Sequence, residues 1–291
     1  MARPFLADGK IFEKIKEGRE DEINTCIACN QACLDHALDK KEISCLVNPR
    51  ACNETNLNYL PTTNKKTIAV IGAGPAGLAF SEIAALRGHH VELFEASDQI
   101  GGQFNLAKQI PGKEEFHETI RYFSTMLKKN GVKVYLNKKV QPVDLIDKKY
   151  DEVIVSTGVY PRSLDIPGSD EEIVISYIDA IRNIDKIGKK VVLIGAGGIG
   201  FDMAELLSHG KKNPSTNIDD FAEQWGIDFT NHPRGGVTGV TATASKSERE
   251  IYLLQRKVTP LGIALGKTTG WTHRLSSVSY THLTLPTISR V

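Results

Sequence analysis

Two stretches of this chain repeat one pattern, and the pattern leaves few folds open. The first is KKTIAVIGAGPAGLAFSEIAALRGHHVELFEAS, residues 65–97. Thr67 to Ile71 is short, apolar and β-branched, which predicts a buried strand. Gly72, Gly74 and Gly77 follow as Gly-x-Gly-x-x-Gly, then Leu78 to Arg87 reads as a helix closed by Gly88. His90 to Phe94 reads as a second strand, and Glu95 follows it, 23 positions after Gly72. Such a glycine turn is weak evidence alone. Set between a strand and a helix, with an acid at that distance, it is strong. The glycines permit a tight bend and the close approach of a pyrophosphate to the helix N-terminus, and Glu95 can accept hydrogen bonds from a ribose diol.

The second copy is KKVVLIGAGGIGFDMAELLSHG, residues 189–210, with a strand predicted over Val191 to Ile194 and the turn at Gly195, Gly197 and Gly200. Its second strand does not arrive at the usual distance. A stretch rich in Asn, Gly, Thr and Pro intervenes from Lys211 to Glu248, with a short helix predicted over Ile218 to Trp225. Ile251 to Lys257 then reads as the delayed strand, ending in Arg256 and Lys257 where the first copy has an acid. An acid there would repel a 2′-phosphate; Arg256 can grip one, a contact worth about 10–100-fold in affinity. The fold class is therefore α/β, with two Rossmann-like dinucleotide-binding domains. The first suits FAD and the second NADPH. Between them Glu152 to Ser156 reads as a buried strand, Thr157-Gly158 as a turn that could lie against a flavin, and Pro161 and Pro167 as the crossing between domains. Gly266-Lys267-Thr268 imitates the end of a phosphate-binding loop, but Gly262 lies one residue too close and no strand precedes it, so ATP binding is rejected.

All five cysteines lie ahead of both copies. Cys26, Cys29, Cys33 and Cys45 are spaced C-x2-C-x3-C-x11-C, and Cys52 follows. Structural zinc usually takes matched pairs, whereas iron–sulfur clusters often take three close cysteines and one outlier. The asymmetric spacing favours a [4Fe–4S] cluster over zinc and over unligated thiols. Cys52 reads as an ordinary buried thiol rather than a spare ligand.

The 291 residues carry a formal charge of +1 and are 41% apolar, enough for about two packed domains. The balance gives no case for nucleic acid or an anionic membrane surface. No apolar run is long enough to span a bilayer, and the opening lacks the order of a signal peptide. The chain reads as soluble and cytoplasmic, where clustered thiols serve metal or redox chemistry. No protein partner is identifiable.

Taken in order, these parts resemble the rear of the 2,4-dienoyl-CoA reductase and 2-enoate reductase family, iron–sulfur flavoenzymes related to old yellow enzyme and trimethylamine dehydrogenase. The stretches INTCIACNQACLD, SCLVNPRACNET, IGGQFNLAKQIPGKEEF, IGAGGIGFD and LGKTTGW carry the resemblance, which covers roughly residues 1 to 275. It implies that Cys26, Cys29, Cys33 and Cys45 ligate the cluster, that Gly72, Gly74, Gly77 and Glu95 hold FAD with Gly102 and Gln103 close by, and that Gly195, Gly197, Gly200 and Arg256 hold NADPH. The opening MARPFLAD resembles the last strand and loop of the family's (β/α)8 barrel, where Arg3 would contact an FMN phosphate. That barrel, which would carry FMN, the enoyl thioester and the catalytic acid, has no counterpart here, so no catalytic residue is assigned. The resemblance divides the chain into a barrel end (1–19), an iron–sulfur segment (20–60), an FAD domain lacking its return (61–165), an incomplete NAD(P)H domain (166–275) and a tail that reads as non-native (276–291). It implies a relay from NADPH through FAD and the cluster to FMN and an enoyl substrate, in the β-oxidation of unsaturated acyl chains. Related enoate reductases, amine dehydrogenases, an electron-transfer subunit resembling the small subunit of glutamate synthase, and a zinc-stapled nucleotide-binding fragment are the alternatives.

Overall fold

The computed structural model describes residues 2–209, 213–229, 241–243 and 247–280. The chain forms two compact units. One comprises Met1–Lys108 and Glu114–Asp165; the other comprises Gln109–Lys113 and Ile166–Val291.

The first unit is built on a parallel sheet of order β3-β2-β1-β4, with β1 Thr67–Ile71, β2 His90–Phe94, β3 Lys133–Tyr135 and β4 Glu152–Val155. Parallel pairing brings the carboxyl ends of the strands to one side: Ile71 lies opposite Phe94 on β2 and opposite Val155 on β4. β1 has neighbours on both sides, and Ile68, Ala69 and Val70 are accordingly buried. The helix Pro75–Leu86 starts at Gly74 with a proline in its first turn, where a missing N–H costs nothing. It ends in a left-handed Gly88, whose N–H bonds Ala85 O while His89 N–H bonds Ala84 O. With helix Glu115–Lys129 it encloses a core of Ile68, Val70, Leu78, Val91, Leu93 and Leu127.

The second unit pairs β5 Lys190–Ile194 with β6 Glu250–Leu254, again parallel. Helix Gly198–His209 packs Met203, Ala204, Leu206 and Leu207 with Ile251 and Ile110 into the core. The short helix Ile218–Trp225 forms as the sequence predicts, capped by Asn217, whose side chain accepts from Asp219 N–H and Asp220 N–H.

Several expectations are corrected. β4 is an edge strand, and Val153 and Val155 are 41% and 74% exposed rather than buried. An apolar run predicts a strand but not what covers it. The same holds for β5, where Val192 and Ile194 face outward. The delayed strand ends at Leu254, so Arg256 and Lys257 lie beyond it. The opening is a short helix, Arg3–Ala7, not a strand, with Pro4 in its first turn. Cys52 is exposed. Most of the tail expected from residue 276, residues 281–291, lies outside the described residues.

Candidate functional site

The thiols come first along the chain. Between Cys26 and Cys33 the backbone reverses sharply through Ala28 and Asn30, both at positive φ (53° and 58°), a conformation that asparagine tolerates better than most residues. Gln31–Asp35 then forms one wide π-helical turn, bearing Cys33. The arm carrying Cys45 is drawn in by two side-chain amides: Asn24 Nδ2 donates to Val47 O at 2.7 Å and Asn48 Nδ2 to Leu6 O at 2.8 Å. The result is one hollow of about 300 Å³, counting its open mouth, lined by Cys26, Cys29, Cys33 and Cys45. Arg3 and the apolar side chains of Leu6, Ile27, Ala32 and Leu46 complete the lining together with Asn30. Cys52, at φ +64°, stands outside it. Among the described residues no three His, Cys, Asp or Glu side chains are drawn to a point that would hold a single metal ion. The four thiols surround a space instead.

Burial and backbone donors act on the thiols of the hollow in opposite directions, and burial prevails. Burial pushes the Cys29 and Cys45 thiols up, and neighbouring cysteines push in the same direction. Against this, the Gln31 N–H points at the Cys29 sulfur, and those of Val47 and Asn48 at Cys45. Backbone N–H groups directed at sulfur stabilise thiolate, and they are one of the levers that set cluster potentials.

The first glycine turn lies at the carboxyl end of β1. Gly72 has φ +102°, and a Cβ on Gly77 would fall 2.0 Å from Gly72 O, so both positions are closed to side chains. Ser156, just past β4, hydrogen-bonds both Ile71 O and Gly72 O through its Oγ, at 3.0 and 2.9 Å. Gly102 packs on Gly74, where its Cβ would lie 2.9 Å from the Gly74 Cα. A Cβ on Gly74 itself would meet nothing, so the side of the turn at the helix N-terminus is open, as pyrophosphate binding requires. Glu95 Oε2 accepts from Ala73 N–H at 2.8 Å, and Oε1 accepts from the N–H and hydroxyl of Ser97, both at 2.9 Å. Burial alone would raise this carboxyl; these donors outweigh it and hold it below the usual range. The Ala96 N–H acts on the carboxylate in the same direction. Gln103 Nε2 donates to Val159 O at 3.1 Å, tying the Gly102 turn to the loop beyond β4.

In the second unit Gly195 N–H bonds Leu254 O at 2.8 Å, which sets the start of the turn beside the end of β6. A Cβ on Gly200 would fall 1.9 Å from Gly195 O, whereas one on Gly197 would meet nothing. The turn thus repeats the first: closed beneath, open in front. Arg256 is exposed, two residues past Leu254.

The family pattern of pyridine nucleotide-disulphide oxidoreductases matches residues 66–223, more than half of the chain. The chain belongs to this family. Its matched region takes in both glycine turns. The oxidoreductase is 38% identical over 212 residues to a metal reductase of Desulforamulus reducens and 31% identical over 217 residues to a cinnamate reductase of Clostridium sporogenes. Those matches cover 72% and 73% of this chain and 32% of each relative, so the chain spans about a third of their length. A solved 2-naphthoyl-CoA reductase in complex with 2-naphthoyl-CoA superposes with a TM-score of 0.79 at 30% identity, covering 98% of this chain and 38% of that one. No helix among the described residues is long and apolar enough to cross a membrane.

Several residues of this oxidoreductase that support the sites carried no sequence signal. Arg121, on helix Glu115–Lys129, reaches back to Asp21 O, to Ile23 O at 2.8 Å and to Thr25 Oγ1 at 3.3 Å, clamping the chain just ahead of Cys26. Lys129 and Arg19 both hold Glu22 at 2.6 Å, keeping its carboxyl below the usual range despite burial. In the second unit Lys113 bonds Asp202 at 2.5 Å on helix Gly198–His209, and one turn on, burial and the charge of Asp202 push Glu205 up to about 7.

Proposed function

We propose that the chain is the electron-input part of an NADPH-dependent, iron–sulfur flavoenzyme that reduces the C=C bond of an enoyl thioester, of the 2,4-dienoyl-CoA reductase kind, in the β-oxidation of unsaturated acyl chains. The observation that carries this is the convergence of Cys26, Cys29, Cys33 and Cys45 on one hollow, in the same unit as the first dinucleotide turn. The likeness to a 2-naphthoyl-CoA reductase over nearly the whole chain supports an acyl-CoA acceptor. Both glycine turns, open where a pyrophosphate would approach, support FAD at the first and NADPH at the second.

FAD bound at the first turn would supply hydride acceptance, and a [4Fe–4S] cluster held by the four cysteines would supply one-electron transfer. The chain's own residues bind and orient. The Gly72–Gly77 turn and Ser156 shape a pyrophosphate cradle at the helix N-terminus, and Glu95 presents its carboxylate to a ribose. The four cysteines are the cluster ligands, held in place by Asn24, Asn48 and Arg121. Arg256 takes the 2′-phosphate. The enoyl thioester, FMN and the proton-donating acid belong to a barrel outside this chain.

The test is anaerobic reconstitution with iron, sulfide and FAD, followed by the visible spectrum and iron, sulfide and zinc analysis. About four irons per chain with broad violet absorbance, FAD reduction by NADPH, and no turnover of 2,4-dienoyl-CoA are expected. Stoichiometric zinc without iron or flavin would sink the proposal, and turnover of the thioester by this chain would overturn the placement of its site. A second test is nucleotide choice. Arg256→Ala should weaken NADPH by about tenfold, the lower end for so exposed a contact, and leave NADH nearly unchanged. Equal losses for both would remove Arg256 from the phosphate.

A further inference from the structure

We infer that Arg3 sets the reduction potential of the cluster by holding a positive charge at the wall of the thiol hollow. The inference rests on the proposed cluster. Arg3 lines the hollow with the four thiols, and its Nη1 donates to Asn30 Oδ1, the amide of the residue between Cys29 and Cys33. That partner is neutral, and the remaining lining of the hollow includes no carboxylate, so nothing there cancels the guanidinium. Leu6, Ile27, Ala32 and Leu46 supply an apolar wall. Charges near such a wall are screened less than they would be in water.

A cluster with four thiolate ligands becomes more negative when it takes an electron. A fixed cation beside it stabilises the reduced form over the oxidised one and raises the potential, as net charge and solvent exposure do generally at such sites. The hydrogen bond to Asn30 pins the cation to the ligand loop itself, so the charge cannot swing out to water as a long surface side chain would. This role is separate from a phosphate contact: it acts on the loop between Cys29 and Cys33 and needs no FMN. Arg3 is thus a positioning residue for electron flow, making the cluster a better acceptor from the flavin.

The test uses the full chain, reconstituted anaerobically without FMN, as wild type, Arg3→Gln, Arg3→Met and Arg3→Lys. Iron is counted and the cluster is titrated potentiometrically by its visible or electron-spin signal. Arg3→Gln and Arg3→Met should keep their iron. At the potential where the wild type is half reduced, they should favour the oxidised form by at least about tenfold, equal to about 59 mV for a one-electron couple. Arg3→Lys, which keeps the charge and loses the planar fork, should stay close to the wild type. Unchanged midpoints in the neutral variants with full iron would overturn the inference and leave the cluster standing. So would a lysine variant as low as the neutral ones, because geometry rather than charge would then set the potential. Loss of iron in both neutral variants would mark Arg3 as structural support and overturn the tuning role. A wild-type chain without iron would bring down the cluster reading itself.

Discussion

Cys29→Ser is expected to reduce the iron of the reconstituted chain from about four per chain to less than about one, and to remove the violet absorbance with it. A [4Fe–4S] cluster needs a thiolate on each of its four irons, and a serine in place of one leaves an iron without its soft donor. Cys29 is the sharpest place to ask, because its sulfur sits in the hollow with the Gln31 N–H directed at it and with Cys26 and Cys33 close enough to act on its charge. Cys45→Ser should do the same, since Cys45 receives two backbone donors and lines the hollow from the opposite arm. Cys52→Ser is the control. It lies seven residues beyond Cys45, is exposed, and stands outside the hollow, so its loss should leave the iron unchanged. FAD reduction by NADPH should survive in every one of these variants, since that step uses the two glycine turns and none of the thiols. If Cys52→Ser lost the cluster while Cys45→Ser kept it, the fourth ligand would have been assigned to the wrong cysteine.

The sequence made the repeated strand–turn–helix pattern plain because that pattern is local. β1 and β2 span the predicted residues, and the Ile218–Trp225 helix falls where its pattern placed it. Burial was less legible. β4 and β5 are apolar runs, and such a run cannot report whether a second strand or a helix lies against it; both present an open side. The opening misled because a resemblance to a barrel strand outweighed a proline that suits a helix's first turn. What escaped altogether were contacts between residues far apart in the chain. Ser156 meets Ile71 across 85 positions and Arg121 meets Ile23 across 98. A serine after a strand and an arginine on a helix look like thousands of others until the fold brings them to a glycine turn or a cysteine loop. Glu95 was partly read. Its place after β2 was plain, but its bond to Ala73 N–H, which braces the turn it serves, was not.

The glycines separate packing from binding, and the separation predicts two kinds of failure within three residues of one another. Gly77→Ala places a Cβ about 2.0 Å from Gly72 O and 2.6 Å from Ser156 Oγ; Gly200→Ala places one 1.9 Å from Gly195 O. Backbone oxygen cannot rotate aside as a side chain can, so the helix must back away from its strand. Forcing extra volume into a packed site costs about 1–3 kcal/mol, and a backbone clash lies at the upper end. A fall in Tm of roughly 5–10 °C is expected for each, read by calorimetry without added nucleotide. Gly74→Ala and Gly197→Ala meet no atom within 4 Å, so their Tm should hold within about 1–2 °C. Their methyl groups would instead stand in the open front of each turn, where a pyrophosphate must come close. Gly74→Ala should lower FAD affinity at least tenfold and leave NADPH binding alone, and Gly197→Ala should do the reverse. If Gly74→Ala weakened NADPH and spared FAD, the two cofactors would have to change places. If all four variants merely melted early, the turns would be packing elements with no ligand in front of them.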